Sequence, residues 1–433
     1  MMNIEVKNKI IANVDSLREE LVRLISNLVQ IPSINPTYPG IIKEDVLGGE
    51  TKVNKLLKSI MESIGLKTDL WEEERGRANL VGIYKGTSEG KSIIFNGHVD
   101  VVPPGPENLW TKARPWSGKI VNGKIYGRGT SDMKAGNAAA IIALKAVLNA
   151  GYQPKGDVII EDVVGEEMMN TEAGTGATIK RGYKADAAIV AESSAPPYPL
   201  ALLIASPGVV VMRVTIKGKP AHTSMRDELV RAGGKGFKIA VSAIDKGFII
   251  YQGLLRLEEE WGQNKSHPVF THPGHFTICP TSFIGGLHGI AYIPEECFIN
   301  YVIWHAPQDS IEQVKKEIEE QISRFAQTDP WLRKNPPQVE WNFWWPPYEI
   351  SPNAPICKAV ANAYEAVMNK PVEIYGFAAV NDATFLNKAG IPTITLGPGS
   401  IQVAHSVNEY VEIREVIDAA KIYALTIAEW CGI

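Results

Sequence analysis

His98, Asp100, Asp132, Glu166, Glu167, Glu192 and His405 stand at or just beyond the ends of apolar runs, and together they form a donor set for divalent cations. Imidazole nitrogens and carboxylate oxygens are ligands for zinc-like ions, and a carboxylate left uncoordinated can move a proton. Residues 92–100 begin as an apolar strand and end in Gly-His-Val-Asp. Side chains two apart on a strand share a face, so His98 can turn one ring nitrogen to a metal while Asp100 receives the other N–H. Asp132 comes just before an alanine-rich run, residues 138–150, which reads as a helix. Its two oxygens could bridge two cations, and a plain turn with an N-cap would use the same residues. Glu166 and Glu167 follow the run 157–164. Adjacent side chains diverge, so one could hold a metal while the other takes a proton from the attacking water; a solvated Glu-Glu pair has the same sequence. Glu192 ends the run 187–191, and His405 lies in the loop after 393–399. Each motif alone fits a structural role. Four apolar strands delivering such residues at their C-terminal ends fit a site built along the edge of an open α/β sheet.

The elements that must place these residues alternate between strand and helix up to about Ser206, and a C-terminal helix is predicted over 413–430. The pattern then changes. Residues 208–218 alternate apolar and polar as a half-exposed strand does. A helix over about 234–247, a β-rich stretch over 275–304, a helix over 310–325 and a strand over 338–345 follow, a β-α-β-β-α-β plan. The first fold resumes near the break at Pro346-Pro347. The predicted organisation is therefore a catalytic part over 1–206, an inserted α+β domain over 207–345, and a second catalytic part over 346–433. Residues 251–273 read as an insertion of no derivable purpose.

The composition of the 433 residues, 45% hydrophobic and 21% charged with a net charge of 44 minus 48, or −4, points to a globular cytoplasmic enzyme and away from nucleic acid. The N-terminus lacks the apolar core of a signal peptide, and no apolar run approaches the roughly 18 residues of a membrane span. Cys279, Cys297, Cys357 and Cys431 have no C-x-x-C spacing and are expected as buried free thiols.

The blocks Gly-His-Val-Asp, Gly-Arg-Gly-Thr-Ser-Asp-Met-Lys, Gly-Glu-Glu and Ala-His-Ser, in this order, resemble those of the M20 metallopeptidases and amidohydrolases, the family of acetylornithine deacetylase, succinyl-diaminopimelate desuccinylase, aminoacylase-1 and glutamate carboxypeptidase. The resemblance covers the chain from about Arg23 onwards. It implies a zinc-exopeptidase-like mixed sheet flanked by helices, with a ferredoxin-like lid that also dimerises. It further implies that His98, Asp132 and Glu192 bind one zinc and Asp132, Glu167 and His405 another, cobalt or manganese being tolerated by the same ligands. Glu166 would be the general base and Asp100 the partner of His98, and the peptide after Asp132 would be cis. His222, in Lys219-Pro-Ala-His-Thr-Ser, would reach from the lid of one subunit into the site of a second copy and steady the tetrahedral oxyanion, which makes a homodimer the expected assembly. The implied reaction is metal-dependent hydrolysis of an amide in a small N-acyl compound, and the blocks as a whole favour an N-acyl amino acid, as in acetylornithine deacetylase or succinyl-diaminopimelate desuccinylase.

Two departures bear on the substrate. Members that hydrolyse N-acyl amino acids carry an arginine in a lid strand and another after the residue matching Asp382; here Trp304 and Thr384 stand at those places. An arginine fork is the natural partner of a carboxylate, so its absence weakens the case for an α-amino acid product and supports the alternative of a formamide, ureido compound or dipeptide. The aromatic group Trp341, Phe343, Trp344 and Trp345 is expected to pack the lid strand and the domain junction. His267, His272, His275, His288 and His305 receive no role, with His272 and His275 read as a loop pair. A binding protein that kept the fold without turnover is the reading of another class, disfavoured because no ligand position is lost.

Overall fold

The structure, a computed structural model, describes residues 2–194, 199–270, 275–286 and 291–433. The chain divides into two compact units, Met1–Ser206 with Tyr348–Ile433, and Pro207–Pro347.

The first unit is built on a mixed sheet with nine strands among the described residues, ordered Lys67–Glu74, Arg77–Tyr84, Val158–Val163, Ile93–His98, Ala187–Val190, Thr393–Thr395, Leu202–Ser206 and Tyr348–Glu349, with Ile374–Gly376 beside Leu202–Ser206. Ile93–His98 runs parallel to both Val158–Val163 and Ala187–Val190, and Thr393–Thr395 is parallel to Ala187–Val190. These four central strands are buried at every residue, as parallel strands covered on both faces must be, which is why they are rich in apolar residues rather than alternating. Their parallel direction brings their C-terminal ends to one edge. The crossover from Ile93–His98 to Val158–Val163 carries the helix Ala135–Asn149, apolar nearly all round and packed on the C-terminal helix Ile413–Cys431. A short hairpin, Lys119–Val121 with Lys124–Tyr126, pairs with Tyr410–Glu412 and so joins two distant stretches of chain beside the site.

The second unit is a four-stranded antiparallel sheet ordered Ile278–Gly285, Glu296–His305, Gly208–Lys217 and Gln338–Trp345, with helices Ala243–Asn264 and Ile311–Ala326. This is the α+β plan of a ferredoxin-like fold. Glu296–His305 alternates strictly between half-buried and buried residues, the signature of a strand with one covered face. A capping box of Ser310 and Gln313 starts Ile311–Ala326.

One helix differs from its predicted extent. It begins at Ala243, where the Ser242 side chain accepts from the Asp245 N–H, and runs to Asn264, so residues expected as an insertion are mostly helical. The buried face Ala243, Gly247, Ile250, Leu254, Leu257 and Trp261 has helical spacing throughout. Gly247 and Gly253 look like breakers in sequence but are close-packing positions: a Cβ on Gly253 would sit 2.6 Å from Phe325, and one on Gly247 2.9 Å from Phe283. Among the cysteines, Cys297, Cys357 and Cys431 are buried free thiols, whereas Cys279 is exposed. His272 and His288 lie outside the described residues, while His305 is fully buried with Nδ1 on the Ala306 carbonyl.

Candidate metal centre

The edge formed by the central strands gathers His98, Asp132, Glu166, Glu167, Glu192 and His405. His98 ends its strand at 1% exposure; Asp132 follows the glycine turn at 127–129, where the backbone departs from helical angles and the Asp132–Met133 peptide is cis. Helix Ala135–Asn149 can start immediately afterwards because Gly136 lies against the chain at Ala191, where a Cβ would fall 2.0 Å from the Ala191 carbonyl oxygen. Glu192 follows directly, so the close approach of helix and strand sets its place.

The two oxygens of Asp132 face different imidazoles. Oδ1 lies 2.9 Å from His98 Nε2, and Oδ2 lies 3.1 Å from His405 Nε2. Glu192 Oε2 is 3.5 Å from His98 Nε2, and Glu167 Oε2 is 2.9 Å from His405 Nε2. Glu166 stands furthest off, 3.8 Å from His98 Nε2. One donor atom each from His98, Asp132 and Glu167 also falls within 4.8 Å of the others, so the two clusters adjoin.

The backbone fixes the tautomer of His98. Its Nδ1 lies 2.9 Å from the carbonyl oxygen of Asp100, and a carbonyl only accepts, so Nδ1 carries the hydrogen. In its neutral form the ring turns the Nε2 lone pair towards the carboxylates of Asp132, Glu192 and Glu166. Nε2 is buried and makes no hydrogen bond of acceptable geometry among the described residues. Lone pair against carboxylate oxygens at such distances is repulsive, so positive charge belongs between them, a proton when the site is empty or a metal ion when it is filled. Residues and geometry therefore fit a divalent cation.

The Asp100 carboxylate does something other than expected. Its nearer oxygen is 3.7 Å from His98 Nδ1, because both oxygens are occupied elsewhere: Oδ1 accepts from the Gly165 N–H at 2.9 Å, and Oδ2 from Asn35 Nδ2 at 2.7 Å and the Glu167 N–H at 3.2 Å. Asp100 thus clamps the turn on both sides of Glu166, and its main chain orients His98. Asn137 steadies the same strand end by donating to the His98 carbonyl.

The electrostatics describe a site rich in negative charge. Burial pushes the carboxyl groups of Glu166, Glu167 and Glu192 up, Glu167 to about 7, with neighbouring Asp132 adding to each shift. Burial alone would lower both imidazoles, but contact with Asp132, then Glu192 for His98 and Glu167 for His405, raises them, His405 to about 11. Asp132, held by His405 and His98 against its burial, falls below the usual carboxylate range.

With this geometry in view, the likeness to known proteins is specific. The model of peptidase family M20/M25/M40 matches residues 94–429. The chain belongs to that family. It is 34% identical over 443 residues to N-formyl-4-amino-5-aminomethyl-2-methylpyrimidine deformylase of Halalkalibacterium halodurans, covering 100% of this chain and 99% of that one. The deformylase of the same name from Bacillus subtilis is 34% identical over 431 residues, covering 97% and 96%. Among solved structures, aminopeptidase PepT from Bacillus cereus superposes with a TM-score of 0.72 at 21% identity, covering 95% and 98%. As an M20/M25/M40 member the protein is a metal-dependent hydrolase that acts on the amide bond of a small N-acyl compound.

Of the M20 site residues named from sequence, six converge at this edge and Asp100 supports them from behind. His222 belongs to the second unit, where it is exposed and accepts the Ser224 N–H on Nδ1 at 3.2 Å. Thr384 is fully buried on the helix Ala383–Lys388, 3.5 Å from Ser206 Oγ, and Trp304 lies half-buried in Glu296–His305. In the aromatic group, Trp345 is buried, Trp341 donates to Glu319, and Trp344 is 40% exposed. Sequence reasoning passed over Arg128 and Glu409, although the first stands inside a quoted block and the second four residues after His405.

Proposed function

We propose that this enzyme removes the formyl group from an N-formylated aminomethylpyrimidine or a closely similar amine, using two divalent cations per chain. The observation that carries the reading is full-length identity of 34% to two deformylases of that substrate. The departures at Trp304 and Thr384 support it. No guanidinium stands at either place, and Thr384 is sealed from solvent, so a substrate carboxylate would lack the fork it needs there.

In this reading His98, Asp132 and Glu192 hold one ion and Asp132, Glu167 and His405 the other, an allotment supported by the two Asp132 oxygens facing different imidazoles. Imidazole with carboxylate suits zinc, and cobalt or manganese accept the same donors. When bound, such ions lower the pKa of a water and polarise the amide carbonyl. Glu166, the carboxylate most removed from the imidazoles, takes the water proton and delivers it to the leaving amine nitrogen. Asp100 keeps the Glu166 turn in place. His222 acts from the lid of a second copy in a homodimer: with Nδ1 accepting from Ser224, its proton is on Nε2, ready to donate to the oxyanion. The dimer works in the cytoplasm; among the described residues no helix is long and apolar enough to cross a membrane.

The test is a comparison of kcat/KM for the N-formyl aminomethylpyrimidine, N-acetylornithine and N-succinyl-diaminopimelate. A preference of about 100-fold or more for the formamide, worth nearly 3 kcal/mol of transition-state binding, is expected. Equal or better turnover of the succinyl amino acid would overturn the substrate reading and leave the hydrolase in place.

A further inference from the structure

We infer that Arg128 and Glu409 are a positioning pair that sets the bridging carboxylate Asp132 and the ligand His405 together. The inference rests on reading those two residues as metal ligands. Arg128 is 2% exposed and Glu409 fully buried, and Arg128 Nη1 pairs with Glu409 Oε2. The other Glu409 oxygen accepts from the Ser131 N–H at 2.9 Å and, more weakly, from the Asp132 N–H at 3.4 Å. The other guanidinium nitrogen, Nη2, donates to the His405 carbonyl at 3.2 Å and to the Pro103 carbonyl at 3.3 Å. The Gly127 N–H donates to the Glu409 carbonyl at 2.9 Å, closing the link through the main chain.

Asp132 and His405 are separated by 273 positions in sequence (405 minus 132), and neither sits within a regular element that would hold it. His405 is exposed and has φ +60, a left-handed conformation that a non-glycine residue adopts at a cost of order 1 kcal/mol or more. Something must hold it there, and Arg128 grips its carbonyl. The Asp132 peptide N–H and that of Ser131 are held by the carboxylate that neutralises the same arginine. A single buried charge pair thus reaches two of the three residues assigned to the second cation, Asp132 and His405, and touches neither side chain. Breaking one half leaves the other buried and unpaired, so the two act as a unit. Trp110, with its ring 5.6 Å from the guanidinium and its Nε1 on the Pro104 carbonyl, walls the pair in.

The experiment measures zinc binding to apo protein by competition with a chromophoric chelator, and the visible spectrum after cobalt loading, for wild type, E409Q and R128K. E409Q keeps volume and an acceptor for the Ser131 N–H; R128K keeps charge but cannot reach all three oxygens. E50Q, which breaks the equally buried Glu50–Arg77 pair away from His405, is the control for stability loss alone. Expected are a 10–100-fold weaker second zinc and an altered cobalt spectrum in E409Q and R128K, the size typical of groups that orient ligands, with E50Q unchanged in both. The double variant should bind no more weakly than the weaker single. Wild-type zinc affinity in either folded variant, or an equal loss in E50Q, overturns the inference. Absence of zinc binding in the wild type would instead remove the ligand reading beneath it.

Discussion

The carbonyl oxygen of Asp100, at 2.9 Å, rather than its carboxylate, at 3.7 Å, meets Nδ1 of His98. The carboxylate is spent on the turn at 165–167. Asp100→Asn should therefore leave the His98 Nδ1–H tautomer unchanged in 15N-histidine NMR spectra of the zinc-loaded protein. The same change should lower kcat by about 10–100-fold by loosening the Glu166 turn. A shifted tautomer would show that the carboxylate governs the ring.

Glu166→Gln should keep both metals and lose about 10²–10⁴-fold in kcat, the usual worth of a positioned proton-transfer group. Metal analysis and steady-state kinetics on one preparation check this. Activity within tenfold of wild type would remove Glu166 from the role of base.

Because the oxygens of Asp132 face separate imidazoles, the ligands should fall in a hierarchy. His405→Ala should lose one metal per chain and retain the other, whereas Asp132→Ala should lose both. Metal content after gel filtration reads the difference, and equal stoichiometry in the two variants would contradict a bridging Asp132.

Asp162 and Glu161 lie fully buried in Val158–Val163, and burial pushes their carboxyls to about 8 and about 7. Neither Asp162 oxygen has a hydrogen-bond partner among the described residues. Groups whose folded pKa lies above the unfolded value bind more protons when folded, so their stabilising contribution is present at low pH and is lost as pH rises through the folded pKa. Asp162→Asn should raise Tm at pH 8.5 by several degrees, given about 2–4 °C per kcal/mol, and should do so little at pH 5. An equal effect at both pH values would mean that the carboxyl does not carry the charge penalty.

Much of the site was legible because most of the ligands stand at or just beyond the ends of strands rich in apolar residues, and parallel strands bring such ends to one edge. The helix Ala243–Asn264 was misjudged because a glycine used for close packing, as Gly253 is against Phe325, looks the same in sequence as one that ends a helix. Which atom of Asp100 meets His98 was not legible, because alternation along a strand fixes which side chains share a face, yet says nothing of a carbonyl two residues on. Arg128 and Glu409 went unnoticed since charged residues are presumed solvated, and only the fold shows that each is buried against the other.

Formate release from an N-formyl aminomethylpyrimidine, by metal-stripped protein and by the same protein reloaded with measured zinc, is the decisive measurement for a dinuclear deformylase. No turnover is expected without metal, full turnover near two zinc per chain, and a rise in rate that follows zinc occupancy. Turnover by the stripped protein, or a zinc-loaded protein that releases no formate, would contradict that reading.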